Sequence, residues 1–408
     1  MVARLAWRSM WRNRRRTIIT LSSIVLGLMF FLLMVCLAEG VYAKLVDEAV
    51  RMQGGHVTIM HPRYLDAPSA DLFVGQADAL RPLIAKLRGV ERTKGLVIGQ
   101  GLVKTATGAV GVMVMGVEPV SEMEASPLPK RMRRGRYLAG NAGAEAVVGV
   151  ALAERLKLKV GKKLVLAAND AHGQMVEELC RVRGIFGMDS DEMDGYLIQV
   201  PIGFARRLYG LPPGGVTYLG VVLGNPDDRH RVAGEIAAMP GAKGVSVLVW
   251  EKVLPEIASY IRLDRTSNWI FQLFLIFLVL FTIFNTMLMS VLERNREFGV
   301  LLALGTTPGR LRAQVFLEAL FLNILGCAGG LLLGSAVVGY YMVYGMDITK
   351  MTSAEMSISG FSFGKMLYPR LTGTLLGWVG GLVFAATLVL SLIPVWRSAR
   401  IRVAEVLR

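Results

Sequence analysis

The stretch TIITLSSIVLGLMFFLLMVCLA, Thr17–Ala38, carries no charged side chain from end to end. An α-helix rises about 1.5 Å per residue, so about 20 apolar residues cross the hydrocarbon of a bilayer. Three further apolar segments of that length follow: Trp269–Leu292, Val315–Met342 and Leu371–Ile393. Between the first and the second lies one long polar stretch, 39–268, of ordinary soluble composition. A chain built this way has a membrane part and a water part joined at two points. Such an arrangement suits the passing of motion or cargo between compartments.

Composition agrees. Of 408 residues, 53% are hydrophobic and only 19% charged, fewer charges than a soluble protein of this size carries. The net charge of +15 is concentrated at the ends of apolar segments. Arg4, Arg8, Arg12, Arg14, Arg15 and Arg16 precede the first span with no acid among them. Arg294, Arg296, Arg310 and Arg312 lie between the second and third, and Arg397, Arg400, Arg402 and Arg408 follow the fourth. Short arginine-rich loops stay in the cytoplasm. Both termini and the loop 293–314 are therefore expected inside, and the insert and the loop 343–370 outside. The predicted fold is an α-helical membrane protein with four transmembrane helices plus a large α+β extracytoplasmic domain of two subdomains, inserted between helices 1 and 2. Anionic lipid headgroups account for the basic clusters, which argues against a nucleic-acid partner.

Residues 1–16 read as a cytoplasmic amphipathic helix, with Leu5, Trp7, Met10 and Trp11 among arginines. The first span, 17–38, is expected to continue helically above the membrane until Gly54-Gly55 stops it. In the insert, strand patterns at His56–Met60, Gly95–Val103, Val110–Val117, Leu164–Ala168, Glu178–Ile185, Tyr196–Pro201, Val216–Leu223 and Val245–Trp250 alternate with short helical ones. The strand-rich middle, about 120–200, reads as a second subdomain set into the first. The remaining parts are the second span at 269–292, the third at 315–342, the fourth at 371–393 and a tail at 394–408. Gly326, Gly330 and Gly334, and likewise Gly373, Gly377 and Gly381, recur every four residues. Small residues so spaced line one helix face and let another backbone approach, so both sets are expected to be helix-packing surfaces.

The loop 293–314 is the densest signal. A helix there would place Phe298, Leu301 and Leu302 on one face with Glu293, Arg294, Arg296 and Glu297 nearby. Gly305 would end it, and Thr307-Pro308 would begin the next helix. The mixed charge suits protein docking better than lipid. From Glu293 to Gly305 the residues resemble the E-R-x-R-E-F-G-x-L-x-A-L-G signature of the four-span ABC permeases that include LolC, LolE, MacB and FtsX-like proteins. Other pieces agree in order: Arg12–Thr17, Gly55–Ile59, the Gly116-Val117-Glu118-Pro119 turn, Gly184-Ile185-Phe186 with Asp194 following, Pro394–Arg400 and Glu405–Arg408. The resemblance covers essentially the whole chain. It departs at Val403, where the family has proline.

The resemblance implies a non-catalytic permease subunit whose loop helix docks a separate cytoplasmic ABC ATPase, two copies per complex. That ATPase would bind ATP and magnesium. This chain has no G-x-x-x-x-G-K-[ST] loop, because Gly161-Lys162-Lys163 is followed by Leu164. A second permease subunit, identical or homologous, would complete the dimer in the inner membrane, with the large domain in the periplasm. Sixteen residues precede the first span, so the closer likeness is to LolC and LolE, which extract lipoproteins from the inner membrane and pass them to a periplasmic carrier. The hairpin that recruits that carrier would fall at Ala167–Glu177, which is short here. Alternatives are MacB-like export of peptides or amphiphiles and an FtsX-like transmembrane signalling scaffold.

If lipid enters between the first two spans, Leu26, Met29, Phe30 and Leu33 would line its path with Phe271, Phe274 and Leu275. No metal site is expected. The run Asp189–Gly195 fails calcium spacing at Met193 and reads as a solvated turn, and the four histidines lack ligand spacing. No nucleophile elbow or H-E-x-x-H is present. Cys36, Cys180 and Cys327 form no readable disulfide framework. Glu318, near the start of the third span, is costly in lipid and is expected to face protein or the interface.

Overall fold

The structure is a computed structural model describing residues 2–347, 357–358, 361–362 and 366–398. Half of the loop 343–370, the tail from 399 and the Leu301 side chain lie outside the described residues. The chain divides into a membrane unit, Met1–Ala43 with Arg262–Met351 and Lys365–Arg408, and an insert unit, Lys44–Ile261 with Thr352–Gly364.

Four helices of the membrane unit are long and apolar enough to span a bilayer: Arg14–Met52, Pro255–Glu293, Pro308–Tyr344 and Gly373–Trp396. The first runs unbroken past its apolar segment to Met52, and Gly55 follows at φ 81°, a conformation glycine adopts at no steric cost. The second is continuous from Pro255. The expected boundaries 39 and 268 therefore fall inside helices, and compactness divides the chain at 44 and 261 instead. The third begins with Pro308 in its first turn, after Thr307, whose carbonyl accepts the Arg310 amide at 3.0 Å.

The two glycine repeats behave differently. A methyl group on Gly326 would come within 2.7 Å of Ile24, one on Gly330 within 2.8 Å of Leu28, and one on Gly334 within 3.0 Å of Leu32. The third span thus packs on the first through that stripe. Gly373, Gly377 and Gly381 meet nothing within 4 Å among the described residues, which corrects the expectation for the fourth span. The contact there is Gly380 against Leu331, at 2.9 Å. A small-residue period shows which face is smooth, not which face is covered. Polar groups add to the lock between the third and fourth spans. Asn323 donates to the Phe384 carbonyl at 3.0 Å, and Thr387 donates to Asn323 at 2.7 Å.

In the insert unit ten strands form one connected sheet system: β1 Val57–Met60, β2 Val90–Thr105, β3 Gly108–Val117, β4 Met132–Gly135, β5 Glu145–Gly149, β6 Lys163–Asn169, β7 Met175–Phe186, β8 Leu197–Pro201, β9 Tyr218–Leu223 and β10 Ser246–Val249. The 16-residue β2 serves two layers. Its first part pairs with β9 in the order β10-β1-β9-β2, flanked by helices Ala77–Ile84 and Arg229–Ala237. Its second part pairs with β3 and β6. Because β6 also pairs with β7, strands β2-β3-β8-β5-β7-β6 close a ring with β4 at its edge. The strand-rich subdomain therefore starts near Val97, not near 120, since the long shared strand belongs to both halves. Gly99 leaves room for the Tyr209 ring, which a side chain would meet at 2.5 Å.

Asp189–Gly195 is not a solvated turn. Asp191–Tyr196 is a short helix, and the buried Asp194 accepts the Met188 amide at 2.8 Å. Burial pushes the Asp194 carboxyl up to about 6, against the opposing effect of that hydrogen bond. The short β6–β7 turn is closed by Asp170, whose Oδ1 accepts the amides of His172 at 2.9 Å and Gln174 at 2.8 Å. Lys94 of β2, fully buried beside Glu122 at 3.6 Å, donates to the Arg51 carbonyl in the last turn of the helix Arg14–Met52. A cation there satisfies an orphan carbonyl and the helix dipole together.

Candidate functional site

The loop helix forms at Asn295–Ala303 and ends before Gly305, whose φ is 91°. Arg294 begins it. The Phe298 ring is 1% exposed and packs with Val291, Leu311, Val315 and Val395, with Leu302 half-buried alongside. The Arg294 guanidinium lies over that ring, 4.9 Å from its centroid. From there its Nη1 donates to Glu318 at 2.9 Å.

Glu318 is the hub of this site. Its buried carboxylate also receives Ser9 Oγ at 3.2 Å and Arg16 Nη2 at 3.4 Å. Arg16 reaches Glu293 at 3.7 Å, and Arg12 pairs with Glu297. Burial would raise the Glu297 carboxyl, but the hydrogen bonds and charges of Arg12 and Arg294 outweigh it and hold the group below the usual carboxylate range. The helix Val2–Arg12 carries Ser9 and Arg12 and packs on the third span, with Ala6 and Met10 buried and Trp7 edge-on to Phe321 at 5.6 Å. It therefore docks on protein through one face while Leu5 and Trp11 remain exposed. Four elements are thus tied to one carboxylate: the N-terminal helix, the start of the first span, the loop helix and the third span.

Of the residues named for the loop, Glu293, Arg294, Glu297 and Phe298 share one network, and Arg296 is exposed. It corrects the direction of the apolar face. Phe298 and Leu302 turn inward, because a buried aromatic under a bridging arginine anchors the loop helix to its own chain. Among the described residues, the large apolar side chains left outward here are Val300, 44% exposed, and Leu304, 78% exposed. Sequence reasoning missed Ser9, Arg12 and Arg16 as partners. A lone acid in the third apolar segment facing six N-terminal arginines was the available signal.

The residues expected along a lipid path do not share one environment. Leu26, Phe30, Phe271 and Phe274 are all exposed, while Leu33 is buried and Met29 and Leu275 are half-buried. The first and second spans meet through Gly27, Leu28 and Phe31 against Leu275, Ile276 and Val279, with a small void at that contact. Gly27 sets this contact, since a methyl group there would lie 2.4 Å from Val279. Among the described residues no group of three or more His, Cys, Asp and Glu side chains could hold a metal ion.

Four spans, a mixed domain between the first two and a loop helix tied to the first and third define a membrane permease with an extracytoplasmic domain. Residues 17–239 match the family described as MacB-like periplasmic core domain, and residues 269–403 match the FtsX-like permease C-terminal family. The chain belongs to this superfamily of ABC transporter permeases. It is 24% identical to an uncharacterized ABC transporter permease of Methanocaldococcus jannaschii, over 81% of each chain. It is also 24% identical to the lipoprotein-releasing system transmembrane protein LolC of Neisseria meningitidis, over 76% of this chain and 77% of that one. A macrolide export ATP-binding/permease protein, MacB of Nitrosomonas europaea, is 23% identical over 94% of this chain but only 57% of its own length.

Proposed function

We propose that this chain is the non-catalytic permease subunit of an inner-membrane ABC transporter that extracts lipoproteins by mechanical coupling to a separate ATPase. The observation that carries the coupling is Glu318, which ties the loop helix to the base of the first span through Arg294 and Arg16. The first and second spans continue as unbroken 39-residue helices beyond their apolar segments. A push on the loop helix therefore bears directly on rods that leave the membrane. The arginine-rich ends favour a cytoplasmic loop, N-terminal helix and tail, with the insert in the periplasm.

In this reading two ATPase copies bind ATP and magnesium and dock on the outward side chains Val300 and Leu304. A second permease subunit, identical or homologous, completes the complex. The lipoprotein reading follows the LolC relative, which this chain matches over three quarters of both lengths. A periplasmic lipoprotein carrier is then the receiving partner.

The test is purification of the tagged full-length chain in mild detergent, with mass spectrometry of bound proteins and lipids. Triacylated lipoproteins with an ATPase are expected. An ATPase accompanied by a periplasmic adaptor and no lipoprotein would replace extraction with export.

A further inference from the structure

Beside the Glu318 hub, the first and second spans leave an open groove of about 400 Å³ that the loop-helix contacts do not use. Arg15 and Asn13 stand at its mouth, at the start of the first span. Glu293 lies there too, but it is paired to Arg16, which also serves Glu318. Arg15 makes no ion pair among the described residues, so it is the cation the groove offers. The walls are apolar: Ile19 is 51% exposed and Met289 56% exposed. Deeper in the groove lies Asn285, two turns before the end of the second span. Its exposed side-chain amide has no hydrogen-bond partner among the described residues.

An outward amide at that depth, about 12 Å below Glu293 by helical rise, is costly against hydrocarbon. It is satisfied by a ligand with oxygen acceptors below the interface. We infer that this groove binds an anionic glycerophospholipid of the inner leaflet, with Arg15 on the phosphate and Asn285 on the glycerol-ester oxygens. Ile19 and Met289 flank the first methylenes. Basic pockets between helices at the cytoplasmic side recognise such headgroups, and a single nearby arginine gives a preference of about fivefold. A bound lipid there would wedge the cytoplasmic ends of the two spans beside the hub. The leaflet rests on the orientation proposed above; the choice of ligand does not depend on the cargo.

The test uses the purified full-length chain in mixed micelles of equal phosphatidylglycerol and phosphatidylcholine, with retained lipids counted by native mass spectrometry. The wild type should retain phosphatidylglycerol about fivefold over phosphatidylcholine. Arg15→Gln and Asn285→Leu should each erase most of that preference, while Arg8→Gln, an exposed arginine outside the groove, should leave it intact. Helical circular dichroism and elution volume confirm that each variant is folded. Equal retention of the two lipids by the wild type, or an undiminished preference in Arg15→Gln, would overturn the proposal. So would full displacement of the lipid by inorganic phosphate, which would assign the groove to a soluble anion. No ATPase enters the readout, so failure here is separable from failure of the transport reading.

Discussion

Arg294 and Glu318, 24 residues apart on different helices, meet at 2.9 Å in a site where Glu318 is almost wholly buried. Removing one partner of a buried pair strands the other, at a cost of about 3–5 kcal/mol. Glu318→Ala should therefore lower the unfolding temperature of the membrane unit measured in detergent. Glu318→Gln, which keeps the shape and accepts one hydrogen bond, should lower it less. Equal, unchanged melting in both variants would mean the hub does not hold these helices together.

The inward turn of Phe298 separates two effects that were indistinguishable from the sequence. Phe298→Ala should destabilise the chain by about 3–5 kcal/mol, the range for a buried aromatic. Leu304→Asp, at an exposed position, should change stability by less than about 0.5 kcal/mol yet abolish co-purification of the ATPase. Thermal melts alongside pull-downs distinguish the two; retained ATPase with Leu304→Asp would move the docking surface elsewhere.

Glycine position should matter in the third span and not in the fourth. Gly330→Leu forces a side chain into Leu28 and should cost about 1–3 kcal/mol or more, because overpacked cores shift backbone. At Gly377 a Cβ meets nothing among the described residues, so Gly377→Leu should be tolerated within the single chain. Comparing the melting of the two variants checks this directly.

His56 predicts a pH dependence of the insert unit. Its ring is buried, with Nδ1 accepting the Leu223 amide at 3.1 Å. Burial chiefly lowers its folded pKa to about 4, from an unfolded value near 6.5. The neutral form is the one folding favours, so its contribution is fully present above pH 6.5 and is lost as pH falls towards 4. The unfolding temperature of the wild type should thus drop relative to His56→Gln over that window. The buried Asp194 works in the opposite sense, because its raised carboxyl favours folding below about pH 4 and loses that advantage as pH rises through about 6. Parallel wild-type and His56→Gln curves would exclude the histidine contribution.

The four spans were legible because hydrocarbon thickness imposes a length that composition alone reveals. The loop helix was legible too, through Gly305 and the apolar period at Phe298 and Leu302. What sequence could not show is which apolar face a short helix keeps for its own chain. Phe298 turns inward because Leu311 and Val395, far from it in sequence, cover it with Arg294. For the same reason the Gly373 stripe looked like the Gly326 stripe, though among the described residues one has a neighbour and the other has none. The closed strand ring depended on β6 meeting both β2 and β7, and periodicity within a strand carries no record of its partners.

If the loop helix transmits the work of a separate ATPase, its outward side chains touch that ATPase. All three native cysteines are buried, so a single reporter thiol at Leu304→Cys can be addressed with a bifunctional maleimide in native membranes. A cross-linked product containing a cytoplasmic ATPase of the ABC class is expected, and none from a thiol at Leu332, which is exposed within the third span. An ATPase that co-purifies but never cross-links at Leu304, or the absence of any ATPase, would contradict it.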